Sequence, residues 1–471
     1  MPQNPDQILD VRQMRAAEEA LIASGTSVDE LMQRAGRGAA DYVWRIAGHR
    51  RVTVLCGPGN TGGDGYVIAE AIRERGGRVS VIAASEPKTD AARHARSLYQ
   101  GEVLGPQAEP HAPDLHGEVF VDCLFGSGLA RPLSDEHAAL LTRLAAAHRH
   151  TIAVDVPSGV DADQGTALNP GLPQFELTIS LGAWKFAHFL MPASAKMGAL
   201  RLVGIGVEAV AGAAQVIGRP RLVAPAPDAH KYRRGLLGVV GGAMPGAALL
   251  ACEAAQGAGA GYVKLLGAGA VAAPADLVAD TAPLSEALTD RRWAALLVGP
   301  GLGRHAESLE RLVTVLANQI PAVLDADALV LLTPRLLAER TAARIATPHE
   351  GELKALETAF DCGGSGAKPA RAAALAQASG MVVVAKGPDT VIAAPDGRLA
   401  CAPRVSSWLS VAGTGDVLAG TIASRLAAGA DPFAAACEGV WLHGEAARLC
   451  GPAFRAGQLA KAVLPAFAAC L

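Results

Sequence analysis

The sequence predicts two α/β domains in series, each a three-layer α/β/α arrangement, and three observations carry that prediction. Short apolar, β-branched runs alternate with amphipathic stretches along most of the 471 residues, which implies parallel strands covered by helices on both faces. The runs end in Gly, Asp, Pro or His, so functional loops gather at the carboxyl ends of the strands, where open α/β sheets bind ligands. A proline-rich break, IGRPRLVAPAPDAH from Ile217 to His230, interrupts the alternation, and the same pattern then restarts. This places one domain at 1–220 and a second at 221–471.

Composition fits that division. A chain this long exceeds what one core serves and suits two domains of about 200 to 250 residues. Half the residues are apolar and 18% are charged, so large cores are feasible and wholesale disorder is excluded. The net charge of −3 gives no general attraction to nucleic acid or anionic membrane, and no Lys/Arg run supplies a local one. Aromatics are scarce at 4% while Ala and Gly abound, which suits closely packed helices and glycine turns better than an aromatic nucleic-acid platform. The eight cysteines form no CxxC pair and no zinc spacing, and read as reduced, mostly buried apolar residues. The N-terminus has no apolar signal core. The charge-free stretch Gly235–Cys252 is broken by Gly241-Gly242-Ala243-Met244-Pro245-Gly246, so it reads as strand, glycine loop and helix, not a membrane span. A soluble, cytoplasmic protein is expected.

In the first half, Arg51–Cys56 is a buried-strand signal, and a helical pattern from Gly65 ends at Gly76-Gly77. Strand signals follow at Arg78–Ala84, Val119–Phe125 and Thr151–Val156. The second half repeats the grammar with LLGVVGG, AALLVGPG, PAVLDADAL, RIATPHEGE and MVVVAKG. No short repeat period appears, which excludes solenoids and propellers.

Three strand ends of the first half carry acids beside glycines. The first is Gly57-Pro58-Gly59-Asn60-Thr61-Gly62-Gly63-Asp64-Gly65. Its glycines 57, 59 and 62 satisfy GxGxxG, and Glu86 follows the next strand where a ribose-binding acid could sit. Asn60 and Asp64 argue for a sugar, an amide or a cation, because a phosphate cradle has little use for a carboxylate. The others are Asp122-Cys-Leu-Phe-Gly126-Ser127-Gly128-Leu129 and Asp155-Val-Pro157-Ser158-Gly159. Each alone could be a cap or a turn. Three such loops on one sheet point to a site.

With QMRAAEE and LMQRAG, the segments GPGNTGGDG, VDCLFGSGL and DVPSG resemble the NAD(P)H-hydrate epimerase family over nearly the whole first half. The resemblance implies a Rossmann-like domain. It implies that Asn60, Thr61, Gly62, Gly63 and Asp64, with Gly126, Ser127, Gly128, Leu129, Ala130, Arg131 and Pro132, hold the hydrated cofactor, and that Asp155 reaches it. It further implies K⁺ at Thr61, Asp122 and Ser158. The family has Asn where this chain has Thr61, and Thr keeps a hydroxyl and a carbonyl oxygen for a cation. Lys185 in LGAWKF falls where the family has a Lys, and reads as a site residue or as a solvated surface lysine. Epimerisation needs reversible loss of hydroxide, or ring proton exchange, beside an enamine nitrogen, and Asp155 is the expected acid/base.

In the second half, Ser410-VAGTGDVLAG-Gly420 is the strongest signal. Gly413-Thr414-Gly415 at a helix start presents consecutive N–H groups to a phosphate, and Asp416 faces the same space. The motif resembles the ribokinase-like fold, whose equivalent Asp deprotonates the attacking hydroxyl. HKYRRGLLGVVGGAMPGAALL, LVGPGLG, VLDADAL, TPHEGE and AKGPDT, in that order, resemble the NAD(P)H-hydrate dehydratases. PADLVAD (274–280) departs from the family's Pro-Glu pair. The resemblance assigns Lys386, Gly387, Pro388, Asp389, Thr390 and Gly415 to the adenine nucleotide, and Ala247, Gly301, His349 and Asp416 to the hydrate. Asp325 and Asp327 either cap a turn or hold Mg²⁺ indirectly. The implied activity is repair of NADHX and NADPHX: epimerisation of R and S hydrates, then dehydration of the S hydrate with ADP as co-substrate and Mg²⁺ as cofactor, by a homo-oligomer. The alternative is a ribokinase-like small-molecule kinase fused to a nucleotide-binding module.

Overall fold

The computed structural model describes residues 6–108, 118–267, 269, 272–338 and 341–471. The chain divides into two compact units, Met1–Ala214 and Gln215–Leu471.

The first unit is built on a seven-stranded parallel sheet. Its strands are β1 (Val52–Cys56), β2 (Val79–Ala83), β3 (Val103–Leu104), β4 (Val119–Cys123), β5 (His150–Val154), β6 (Leu177–Leu181) and β7 (Ala199–Val203), in the spatial order β3-β2-β1-β4-β5-β6-β7. Helices α1 (Val11–Ala23), α2 (Val28–Ala47), α3 (Asn60–Glu74), α4 (Asp90–Leu98) and α5 (Asp135–Ala147) accompany it. β1, β4 and β6 are buried along their whole length, as strands covered on both faces must be. Strand order reverses between β1 and β4, and at such a point the loops leave in opposite directions and open a crevice. Cys56 lies opposite Cys123 in register, so the loops after β1 and β4 emerge side by side.

One local feature differs from the sequence reading. α3 begins at Asn60, not Gly65, so Asn60–Asp64 form its first turn. Gly59 supplies the extended N-cap. Gly62 is required there because a Cβ would strike the carbonyl oxygen of Gly57, and burial of this helix against its neighbours outweighs the poor helix propensity of its glycines.

In the second unit the strands are β8 (Ala214–Val216), β9 (Leu236–Val240), β10 (Tyr262–Leu266), β11 (Val278–Asp280), β12 (Trp293–Val298), β13 (Ala322–Leu324), β14 (Arg344–Ala346), β15 (Val382–Ala385), β16 (Val391–Ala393) and β17 (Leu399–Cys401). They run in the order β8-β17-β16-β15-β14-β13-β12-β9-β10-β11. Pairing is parallel from β15 through β11, and β16 is antiparallel to both its neighbours. Gln215 pairs with Ala400, so this sheet takes in chain that precedes the proline-rich break. The longer helices are α6 (Pro245–Gly257), α7 (Ala306–Ala317), α8 (Glu350–Ala359), α9 (Lys368–Ser379), α10 (Thr414–Ala427), α11 (Pro432–Cys450) and α12 (Ala456–Ala468).

Here the abundant Ala and Gly find their use. A Cβ at Gly420 of α10 would collide with the Ala251 carbonyl of α6, and one at Gly439 of α11 would press on Ile422 of α10. Small residues thus bring α6, α10 and α11 close. Among the described residues no helix is long and apolar enough to cross a membrane. All eight cysteines are unpaired, and five are buried.

Candidate functional sites

At the switch point of the first unit, the loops after β1, β4 and β5 converge. Asp155, just past β5, adopts φ +67°, a left-handed backbone that non-glycine residues rarely take and that clusters at functional sites. Its Oδ2 accepts from the Ser127 N–H at 2.9 Å. A Cβ built on Gly126 would stand 3.0 Å from Asp155 Oδ2 and 2.5 Å from Thr61 Oγ1, so Thr61, Gly126 and Asp155 meet. The expected substrate segments from α3 and from the loop after β4 are therefore brought together. Gly128, Ala130, Arg131 and Pro132 lie exposed along the rim, with Leu129 half-buried. Glu86 is exposed past β2.

The structure decides the standing of Lys185. It is not a solvated lysine: it is 1% exposed, and its Nζ donates to Asp155 Oδ1 and, at 2.6 Å, to the Leu181 carbonyl. His188 completes the lock. The Lys185 N–H donates to His188 Nδ1 at 2.9 Å, so Nε2 carries the proton and donates to the Asp155 carbonyl at 2.8 Å. Burial first, and then the Lys185 charge, lower His188 to about 4, which keeps it neutral. Burial pushes Asp155 upward, but the Lys185 charge and the hydrogen bonds from Lys185 and Ser127 outweigh it and hold the carboxyl at about 2. Asp155 is thus a fixed anion and a poor base.

Asp64 is its opposite. It is buried, its carboxylate accepts no hydrogen bond among the described residues, and burial followed by the negative charges of Asp155 and Glu18 pushes it well above the carboxylate range. Glu18 lies on α1, one turn beyond Met14, whose Cε packs where a Cβ of Gly182 would go. Burial also raises Glu18, with Lys185 opposing and Asp155 reinforcing.

Asp122 is 1% exposed. It accepts from Ser158 Oγ at 2.8 Å, Ser158 N–H at 3.0 Å and Leu124 N–H at 3.1 Å, and Ser158 Oγ also lies 3.0 Å from the Phe125 carbonyl. Burial lifts Asp122 to about 6 against those hydrogen bonds. It forms no ion pair with a Lys or Arg among the described residues. A buried carboxylate without a cation, flanked by hydroxyl and carbonyl oxygens, is a donor set for a hard monovalent ion.

In the second unit, α10 opens with Gly413 at φ +91°. The first N–H groups of a helix have no carbonyl partner one turn back, so those of Gly415 and Asp416 point outward. Lys386 Nζ donates to Asp325 Oδ1 at 2.7 Å and lies 3.6 Å from where a Cβ of Gly415 would be. Thr347 Oγ1 holds the same Asp325 oxygen at 2.7 Å. Asp416 forms no ion pair among the described residues. Burial, then the charge of Asp325, raises it to about 6 while Lys386 opposes.

The glycine loops zip together: the Met244 N–H donates to the Gly301 carbonyl at 2.9 Å. Gly301, at φ +65°, leaves 3.1 Å between a hypothetical Cβ and Ala247 Cβ, so these two expected substrate residues adjoin. Asp327 does not face outward. Its carboxylate accepts from the Gly303 N–H at 2.9 Å and Arg304 Nε at 2.7 Å and so clamps that loop. His349 caps α8: its Nδ1 accepts from the Gly351 N–H at 2.9 Å, and Glu352 Oε2 accepts from the His349 N–H at 2.9 Å. Burial raises Glu352, with Lys386 opposing and Asp325 reinforcing, which puts it in the same field. In the 386–390 loop Asp389 is buried and paired with Lys368, and Thr390 Oγ1 donates to the Gly387 carbonyl at 2.9 Å. Gly387 and Pro388 remain exposed. Among the described residues no three His, Cys, Asp or Glu side chains form a metal cluster.

Both halves have counterparts among known proteins. Residues 237–465 match the family model described as NAD(P)H-hydrate dehydratase, and residues 28–187 match that described as YjeF-related protein N-terminus. The bifunctional NAD(P)H-hydrate repair enzyme Nnr of Moorella thermoacetica is 33% identical over 91% of this chain and 90% of its own length. That of Gloeobacter violaceus is 34% identical over 93% of this chain and 92% of its own. The chain belongs to the bifunctional NAD(P)H-hydrate repair enzyme family. The Bacillus subtilis ADP/ATP-dependent NAD(P)H-hydrate dehydratase, solved with ATP/Mg²⁺, is 28% identical to this family member, covering 53% of this chain and 95% of that one with a TM-score of 0.46.

Sequence reasoning placed the loops of this repair-family chain but missed Glu18, His188 and Glu352 and left Lys185 undecided. For Lys185 a signal existed: a lysine in the stretch Gly182–Leu190, apolar apart from it and His188, is costly to bury unless paired.

Proposed function

We propose that this chain repairs hydrated NADH and NADPH, interconverting the R and S hydrates in the first unit and dehydrating the S hydrate in the second with ADP as phosphoryl donor. The observation that carries this reading is Asp416: an unpaired, half-buried carboxylate raised to about 6 in the first turn of a glycine-led helix, beside Lys386. A base poised near neutrality next to a phosphate cradle suits activation of a hydroxyl for phosphoryl transfer.

Asp416 takes the proton of the hydrate hydroxyl as that oxygen bonds to the β-phosphorus of ADP and AMP leaves. The carbon–oxygen bond then breaks with its electrons going to phosphate, the adjacent carbon loses a proton, and the ring double bond returns. Phosphorylation is worthwhile because water's pKa is about 15.7 and phosphate's is near 6, so departure eases by roughly ten pKa units. Gly415 and Asp416 N–H groups and Lys386 Nζ would hold the phosphates. Mg²⁺, which typically takes one or two carboxylates plus substrate phosphates, would be served by Asp325 and would neutralise the transferring group.

In the first unit Asp155, ionised beside Lys185, would face the positive charge that develops at the hydrated carbon as the hydroxyl departs. Asp64, whose protonated form is favoured by burial and by the negative charges of Asp155 and Glu18, would give a proton to the leaving oxygen. K⁺ would be held by Asp122, Ser158 and Thr61, balancing the Asp122 charge and steadying the loop after β4. The test is to supply mixed epimers with ADP. NAD(P)H, AMP and phosphate in equal amounts are expected, and a stable phosphate ester in place of NAD(P)H would reject the reading.

A further inference from the structure

A histidine that the expected site segments do not include touches the turn at Gly413–Asp416. His443, on α11, places Nε2 2.9 Å from the carbonyl oxygen of Thr414. A carbonyl can only accept, so Nε2 carries the proton. Burial, the largest cause, and the nearby Lys386 charge lower this imidazole to about 4 while the bond to Thr414 opposes them, so the neutral donor form persists throughout the physiological range.

The carbonyl of Thr414 and the N–H of Gly415 belong to one planar peptide unit. Fixing one end of that plane fixes the other, and drawing electron density toward the carbonyl oxygen makes the N–H a stronger donor, because linked hydrogen bonds polarise one another by about 10–30% each. The rest of the turn is held as firmly. Thr414 Oγ1 lies 2.9 Å from the carbonyls of both Leu409 and Val411, and Thr414 is buried. Inside α10 the Thr414 carbonyl already has the helix's own N–H as a partner. The His443 bond is therefore additional to what the helix needs, which sets it apart from ordinary capping.

We propose that His443 is a positioning residue of the dehydratase site, orienting and polarising the 414–415 peptide so that the Gly415 N–H is aimed at the phosphoryl group. The proposal rests on the reading that ADP phosphates sit at this turn. It predicts a graded effect: removing an anion-hole donor outright costs about 10²- to 10³-fold in kcat, so weakening one should cost less, roughly tenfold.

Two full-length variants separate positioning from packing. His443→Leu removes the donor, whereas His443→Gln keeps an amide N–H near the position of Nε2. Both lose imidazole packing, so both should lower the thermal midpoint by similar amounts. ADP-dependent dehydration in His443→Leu should fall roughly tenfold in kcat, with ADP binding by calorimetry weakened, while His443→Gln recovers most of both. Equal activity losses in the two variants, or an unaffected His443→Leu, would overturn the proposal. If His443→Leu does not fold, the Gly415 amide proton in transverse-relaxation-optimised NMR spectra decides: it should move in a His443→Ala chain and return toward wild type in His443→Gln, and an unmoved resonance rejects the coupling. Wild-type protein that binds no ADP would instead overturn the nucleotide reading and the proposal with it, and calorimetry on wild type alone reveals that case.

Discussion

Replacing Lys185 by Met removes the cation bonded to Asp155 and leaves a buried carboxylate uncompensated. Asp155 is held down at about 2 although burial alone would raise it. The attraction to Lys185 therefore outweighs the burial cost, and breaking a buried pair typically costs about 3–5 kcal/mol. Lys185→Met and Asp155→Asn should each destabilise the first unit by that order. The double variant buries neither charge and should be more stable than the sum of the two predicts, by about 2 kcal/mol or more. The sign with pH follows from the depressed carboxyl: its contribution is present above the unfolded value and is lost as pH falls through about 2. Calorimetric unfolding of the four proteins at neutral pH, following the first unit's transition, measures the coupling. Strict additivity, or a Lys185→Met variant within about 0.5 kcal/mol of wild type, would refute the claim that this pair governs the site's electrostatics.

Other outcomes follow from the same geometry. Asp416→Asn should lower dehydration by about 10² to 10⁴-fold, the usual worth of a general base, while epimer interconversion persists; in wild type, dehydration should rise as pH climbs through about 6 and Asp416 loses its proton. Asp64→Asn should slow interconversion measured by chromatography of each epimer without ADP, leaving dehydration of the S hydrate intact. Thr61→Asn should tighten K⁺ binding as read by titration of epimerase activity, and no change would remove Thr61 from the cation site. Gly415→Val should weaken ADP binding in calorimetry, because its side chain would crowd Lys386 Nζ and obstruct backbone approach to phosphate.

The sequence made legible whatever is encoded locally. Strand runs ending in glycine-plus-acid loops marked the candidate segments 57–65, 122–129 and 155–159, and a glycine-led helix start marked 413–416, because close backbone approach and helix-start N–H groups demand glycine at fixed spacing. Pairings across the chain left no such mark. Asp155 and Lys185 are separated by 29 intervening positions in sequence, and Asp325 meets Lys386 from a different strand end, so only strand order brings them together. The start of α3 differs from the sequence reading because the glycines at 62, 63 and 65 are poor helix formers; Gly62 lets α3 lie against the loop after β1, Gly63 against Met32 and Ala92, and Gly65 beside Cys56 and Cys123. Asp327 could not be told from a metal ligand by its spacing, since clamping Gly303 and holding an ion both need a carboxylate at a strand end.

The central claim is that one chain holds two separately disabled acid sites serving one repair. The direct measurement is recovery of dihydronicotinamide absorbance from each purified epimer of NADHX, with ADP present throughout, for wild type, Asp155→Asn and Asp416→Asn. Wild type should restore NADH from both epimers. Asp155→Asn should restore it from S at the wild-type rate but from R only as fast as R epimerises spontaneously, and Asp416→Asn should restore it from neither while still interconverting them. Loss of interconversion in Asp416→Asn, or recovery from R undiminished in Asp155→Asn, would contradict the account.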